Sequence, residues 1–345
     1  MRIERESLTY DDVLLIPQFS DIESRKEINI GNWLDQDRGL RFELPIISAP
    51  MDTVTEIPMA ITLARMGGLG IIHRYNSVSQ QAQMAETLFE NIEPSKVGFA
   101  IGITGDYLER AKELVSLGAR ILCLDVAHGD HVLVQYAIKS IRDALGNGPH
   151  IMAGNVATFV GFDNLASWGA NSIRVGIGGG SICSTRIQTG HGVPSLDSVV
   201  ECARTQHNVA IIADGGIKNS GDIVKALAVG GDFAMLGSLL AGTSDTPGEI
   251  ITHENGARYK VYRGMASKDA QMDWRGKTSS LEGISATVQY KGTTKEVIEQ
   301  LDNGIRSGFS YSGSRTIGEL WQKARFVKQS ASAQRESDTH ILHRR

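Results

Sequence analysis

The run Val209-Ala210-Ile211-Ile212-Ala213-Asp214-Gly215-Gly216 is followed by Gly221-Asp222-Ile223-Val224-Lys225-Ala226-Leu227-Ala228, which closes at Gly230-Gly231. An apolar run without polar alternation is expected of a strand buried on both faces, as in a parallel sheet. The segment after it has helical period, and glycine is the expected helix stop. The same pattern recurs along the chain. Upstream strands are predicted at Pro45-Ile46-Ile47-Ser48, Leu69 to His73, Val97 to Gly102, Ile121 to Asp125, Ile151 to Asn155 and Ile173 to Gly176. One more lies downstream, Phe233-Ala234-Met235-Leu236-Gly237. Helical stretches such as Tyr107 to Val115 and Leu196 to Ala203 lie between them. Eight β-α units over roughly 200 residues predict an α/β fold, a (β/α)8 TIM barrel formed by one catalytic domain over 1–345. A doubly wound open sheet is the alternative, but no GxGxxG with a distal acid follows the first strand.

Composition narrows the classes. Lysine plus arginine number 35 against 39 acidic residues, a net charge of −4, with 41% hydrophobic and 21% charged residues. That balance is globular and argues against a partner held by charge alone, whether nucleic acid or membrane surface. No apolar run approaches the roughly 20 residues that span a bilayer, and the charged start lacks a secretion-signal core. Cys123, Cys183 and Cys202 show neither disulfide nor zinc spacing, so a cytoplasmic protein is expected. Cys123 and Cys202 sit in apolar contexts and read as packing residues. Two segments fall outside the repeat. Residues 253–295 show little apolar periodicity and read as an excursion after strand eight carrying a mobile flap. Residues 328–345 read as a polar tail ordered by a partner.

Barrel chemistry collects at the C-terminal strand ends, here Ser48, His73, Asp125, Asn155, Gly176, Asp214 and Gly237. Any one of these can be a helix cap or a turn residue; seven on one rim point to a site. Gly176-Ile177-Gly178-Gly179-Gly180-Ser181-Ile182-Cys183-Ser184-Thr185 follows strand six. Its glycines permit close backbone approach and can turn N–H groups towards an anion. Further glycines at Asp214-Gly215-Gly216 and Gly237-Ser238 lie where barrels recurrently bind phosphate. Cys183 sits among backbone donors that favour a thiolate, and Thr185 is placed to relay a proton. Asp214 is placed to accept ribose hydroxyls.

Met51-Asp52-Thr53-Val54-Thr55, Ala153 to Thr158, the Gly176 to Thr185 loop, Asp214 to Ile217, Met235 to Gly242 and Tyr262-Arg263-Gly264-Met265 resemble the IMP dehydrogenase / GMP reductase family over nearly the whole chain. The resemblance implies a purine nucleoside monophosphate, a nicotinamide cofactor and a cysteine that adds to purine C2. It makes Cys183 the nucleophile. Ser181, Gly216, Gly237, Ser238 and Tyr262 then hold the phosphate, and Asp214 the ribose. Ser48, Met51, Gly264, Met265 and Ala266 border the base. Glu282 pairs with Thr185 as a proton-relay dyad. Asp125, Asn155, Arg174 and Gly176 match cofactor-side positions. Carbonyls of Gly178, Gly180 and Cys183 match a potassium site, completed in the dehydrogenases by a neighbouring subunit's segment resembling Arg335-Glu336-Ser337, which implies a homotetramer.

The family runs two reactions: IMP with NAD and water to XMP, or GMP with NADPH to IMP and ammonia. The Tyr262 to Met265 run and the Arg335-Glu336-Ser337 tail favour the dehydrogenase, the better-supported reading. Only 18 positions separate Gly264 from Glu282, a short flap without the dehydrogenases' Arg-Tyr pair, and Cys123 to Ala127 looks reductase-like. Arg275 is the candidate stand-in for the missing water-activating arginine. His73 to Val97 leaves room for one helix, so no regulatory CBS pair is expected. Gly179 stands where many members have proline, and Ala266 where dehydrogenases usually have glycine. Outside the family, a non-redox phosphosugar barrel would put a lysine or paired carboxylates on the rim, and no lysine stands there. A silent nucleotide-binding homologue would have no use for Cys183, Thr185 and Glu282 together.

Overall fold

The computed structural model describes residues 6–337. Eight parallel strands close into a barrel in chain order. They are β1 (Ile46–Ser48), β2 (Leu69–Ile72), β3 (Val97–Ile101), β4 (Ile121–Leu124), β5 (His150–Val156), β6 (Ser172–Val175), β7 (Ala210–Asp214) and β8 (Phe233–Leu236). Closure pairs Ala234 with Ile46 and Leu236 with Ser48. All eight predicted strands are present. Helices α1 (Ile57–Arg65), α2 (Val78–Phe89), α3 (Tyr107–Ser116), α4 (Val132–Leu145), α5 (Phe159–Ser167), α6 (Ser195–Cys202), α7 (Ser220–Ala228) and α8 (Thr294–Tyr311) follow the strands in turn. Between β2 and β3 the one α-helix is α2.

The unbroken apolar runs follow from burial on two sides. Outward residues of the strands pack against the helices, while Ile47, Ile71, Ile121, Cys123, Met152, Ile212 and Met235 fill the barrel. Gly70 lets α1 approach closely, since a Cβ there would lie 2.7 Å from the Ala60 Cα. A hairpin of Asn32–Asp35 and Leu40–Phe42 plugs the N-terminal end, adding Leu34, Leu40 and Phe42 to the inner core. Phe42 meets Phe233 edge to face at 6.1 Å. The same hairpin supplies Asp35, which hydrogen-bonds the fully buried His150 at 2.8 Å, and His150 in turn meets Ser172 at 2.8 Å. Burial works against the Asp35 carboxylate, but His150 and Arg38 outweigh it and bring its pKa down to about 2.

The excursion carries regular elements of its own. Ile251–Thr252 (β9), Arg258–Arg263 (β10) and Ser285–Gln289 (β11) form an antiparallel sheet, with a helix at Lys268–Arg275 between β10 and β11. The alternation was masked because β10 buries a lysine: Lys260 points inward and donates to the carbonyls of Thr243 and Thr246. The start of the predicted tail packs against its own chain. Phe326–Lys328 pairs antiparallel with Val13–Leu15, and Ala331–Glu336 is helical. Gln329 bonds the carbonyls of Asp11 and Asp12. The rest of the predicted tail, 338–345, lies outside the described residues. Among the described residues no helix is long and apolar enough to cross a membrane.

Candidate active site

A cavity of about 420 Å³ opens at the C-terminal strand ends. It is lined by the loop after β6, the turns after β7 and β8, and the excursion. Gly176 begins the loop at φ +144°, and a Cβ on it would fall 2.0 Å from the Asp214 carbonyl oxygen, so only glycine fits. A Cβ at Gly179 would lie 2.4 Å from the Ser195 hydroxyl oxygen, so Ser195 takes up the space a larger residue at 179 would need.

Backbone pairing brings distant residues together. Cys183 bridges to Gly283, the Ser184 amide donates to the Glu282 carbonyl at 2.9 Å, and the Ile284 amide to Ile182 at 3.0 Å. This zipper carries Glu282 to the loop. The Cys183 thiol donates to Thr185 Oγ1 at 3.1 Å, and Thr185 donates to Glu282 Oε2 at 2.8 Å. A proton can thus leave the sulfur through the hydroxyl to a carboxylate without crossing open solvent. Cys183 is half-buried. Cys123 and Cys202 are buried, and burial pushes both thiols up to about 12, as suits packing residues.

The same cavity wall carries an ion network. Arg174 reaches Asp125 Oδ1 at 2.7 Å through Nη1, and Asp214 Oδ2 at 2.9 Å through Nη2. Asn155 Nδ2 donates to the same Asp214 oxygen at 2.8 Å. Burial disfavours the guanidinium charge, but Asp214, the sulfur of Cys123 and Asp125 outweigh it and hold its pKa well above the usual value. By the turn after β8 Tyr262 is buried, and burial pushes its hydroxyl up to about 12, so it stays neutral. A Cβ at Gly237 would lie 2.8 Å from that hydroxyl. Lys291 donates to the carbonyls of Ser238 and Leu239, fixing the turn from behind.

All but four of the site and rim residues singled out from the sequence line this one cavity. Ser48 does not: it is fully buried, bonded by Thr55 Oγ1 at 2.8 Å beneath the lining. Glu336 and Ser337 lie on or next to the C-terminal helix, outside the cavity lining of their own chain. The rim residue His73 also turns inward, to Glu56 at 3.1 Å, and its place at the mouth goes to Arg74 and Tyr75. Tyr75 donates to the Met265 carbonyl at 2.8 Å and packs against Trp274 at 5.8 Å. Gln271 also lines the cavity and was missed, since a lone glutamine in a polar segment carries no signal.

The chain is similar over nearly its whole length to known proteins. Residues 7–340 match the IMP dehydrogenase / GMP reductase domain. The chain belongs to that family. It is an NAD(P)-dependent oxidoreductase of that type. It is 32% identical to the inosine-5′-monophosphate dehydrogenase of Nitrosopumilus maritimus, over 97% of this chain and 98% of that one. It is also 32% identical to the GMP reductase of Leishmania major, over 98% and 97%. A solved Trypanosoma brucei GMP reductase in complex with guanosine 5′-monophosphate superposes with a TM-score of 0.91 at 28% identity, covering 98% of each chain. Both branches of the family are therefore represented at similar distance.

Proposed function

We propose that this protein oxidises IMP to XMP with NAD, through a covalent bond between Cys183 Sγ and purine C2. The observation that carries the direction is Arg275. It stands on the wall of the same cavity as Cys183, Thr185 and Glu282, although the stretch between Gly264 and Glu282 lacks the family's usual Arg-Tyr pair.

Each residue has a task in this reading. Ser181, Gly216, Gly237, Ser238 and Tyr262 hold the phosphate. Asp214 Oδ2 is committed to Arg174 and Asn155, which leaves Oδ1 for the ribose hydroxyls. Met51, Gly264, Met265 and Ala266 border the base. The thiol adds to C2 as its proton passes through Thr185 to Glu282. The nicotinamide, when bound beside Asp125, Asn155, Arg174 and Gly176, supplies a hydride acceptor. Loss of hydride from C2 leaves a thioimidate. Arg275 then orients water; with the thiol's proton released from Glu282 to solvent, the Thr185–Glu282 relay takes the water's proton as its oxygen attacks C2 and expels the sulfur as thiolate. The balance is IMP, NAD and water to XMP, NADH and a proton.

In this reading potassium binds at the carbonyls of Gly178, Gly180 and Cys183; the Gly180 carbonyl accepts the Cys183 amide at 3.1 Å and keeps its second lone pair for the ion. In this reading Glu336 and Ser337 of a neighbouring copy complete it in a homotetramer.

One observation favours the second reading, GMP reduction with NADPH. The excursion helix Lys268–Arg275 is held on the barrel: Arg263 pairs with Asp52 at 2.7 Å and with Asp273 at 2.5 Å. A reductase has no hydrolysis step and needs no flap exchange. Nicotinamide absorbance separates the two, with IMP plus NAD in one cuvette and GMP plus NADPH in the other. The proposal expects NADH to form in the first. It also expects Arg275→Ala to keep the first-turnover NADH burst while steady-state turnover falls about 10-fold or more. Oxidation of NADPH by GMP, with no reaction of IMP, assigns the chain to the second reading. An Arg275→Ala enzyme with unchanged turnover, or with the burst lost, removes Arg275 from the mechanism.

A further inference from the structure

The relay carboxylate stands on a segment with few apolar anchors. Its second oxygen and its backbone are nonetheless engaged. Ser280 Oγ donates to Glu282 Oε1 at 3.1 Å, opposite the oxygen that Thr185 uses. The chain just before it is clamped by Gln271, a side chain 3% exposed on the excursion helix. Gln271 Nε2 donates to the Ala266 carbonyl at 3.1 Å and to the Ser280 carbonyl at 2.9 Å. Its Oε1 accepts from the Ser279 amide at 2.6 Å and from the Ser279 hydroxyl at 3.2 Å.

A glutamine amide has two donors and two acceptor lone pairs, and here all four are used within the excursion. Gln271 therefore lines the cavity without polar capacity left for a ligand. What it sets is the spacing between two stretches: the backbone at Ala266 on one side and the Ser279-Ser280 turn leading to Glu282 on the other.

We infer that Gln271 and Ser280 are positioning residues for Glu282, acting on the reaction only through where that carboxylate stands. Gln271 fixes the backbone that bears it, and Ser280 fixes the rotation of its carboxyl group towards Thr185. This rests on the proposed role of Cys183, Thr185 and Glu282, which both reaction directions share. Relays are sensitive to such placement: a shift of about 1 Å can cost on the order of 100-fold in rate.

The test is a double-mutant cycle in whichever nucleotide assay the wild type supports. Ser280→Ala is expected to lower kcat about 10-fold with the nucleotide KM within about 2-fold, because the relay is disturbed and the binding groups are not. Ser280→Thr, which keeps the hydroxyl, is expected to restore kcat. Gln271→Ala is expected to lower kcat about 30-fold or more. In a Glu282→Ala background neither change should cost more than about 2-fold further, since their shared target is gone. Losses that multiply through in that background mean general damage to the excursion and overturn the inference. So does a Ser280→Ala enzyme with wild-type kcat, which needs no assumption about how Gln271→Ala folds. Wild-type protein idle with both nucleotides overturns the proposed reaction itself, and the positioning roles with it.

Discussion

Cys183→Ala is expected to abolish turnover of purine nucleotide, by about 10⁴-fold or more, while the thermal unfolding midpoint stays put. The two halves have different physical causes. The sulfur is half-buried on a glycine loop, and its one hydrogen bond goes to Thr185, so little packing is lost on truncation. The loop is held by its backbone instead, through the pairing of Ile182, Ser184 and Ile284 described above. Chemically, nothing replaces the sulfur. Cys123 and Cys202 are sealed in the core, and Ser184 is buried and does not line the cavity. Steady-state assay together with a melting curve checks both halves. A variant that loses activity only because it unfolds breaks the expectation.

Arg174→Leu is the second large effect, on stability. The arginine side chain is 8% exposed and sits between two carboxylates that are 17% exposed each. Removing it leaves Asp125 and Asp214 facing each other with their common partner gone. Breaking a buried pair in this way costs about 3–5 kcal/mol, which corresponds to a fall in Tm of about 4–7 °C for a chain of this size. Arg174→Lys should fall between, because an ammonium keeps the charge but not the planar fork that meets both aspartates. Differential scanning calorimetry of the three proteins checks the order. Nucleotide affinity should drop in parallel, since Asp214 loses the bonds that aim its free oxygen.

The barrel was legible because a strand buried on both faces has to be apolar throughout, and each of the eight runs is bounded by a rim residue or a glycine stop. The glycine loop was legible for a local reason too: at Gly176 no side chain fits against Asp214. The contacts that escaped are of other kinds. The hairpin Asn32–Phe42 that plugs the barrel is short and mixes Asp35 and Arg41 with its apolar residues. Its inward set shows only once the barrel is there to receive it. The excursion sheet hid behind a buried lysine. His73 was read as a rim group because it ends an apolar run, yet the chain turns inward one residue before the rim and exposes Arg74 and Tyr75. Resemblance to the family supplied Glu282, which periodicity does not reveal. It did not supply Gln271 or Ser280, whose role depends on hydrogen bonds made within this short excursion.

The central claim is a covalent bond between one sulfur and a purine ring. Acid quench during steady-state turnover, followed by digestion and mass spectrometry, tests it most directly. The account predicts a nucleotide-sized mass increase on the peptide bearing Cys183, present with the productive nucleotide and cofactor and absent from Cys183→Ala. Rapid turnover by the wild type with that peptide unmodified at every quench time, or with the added mass on a different residue, contradicts it.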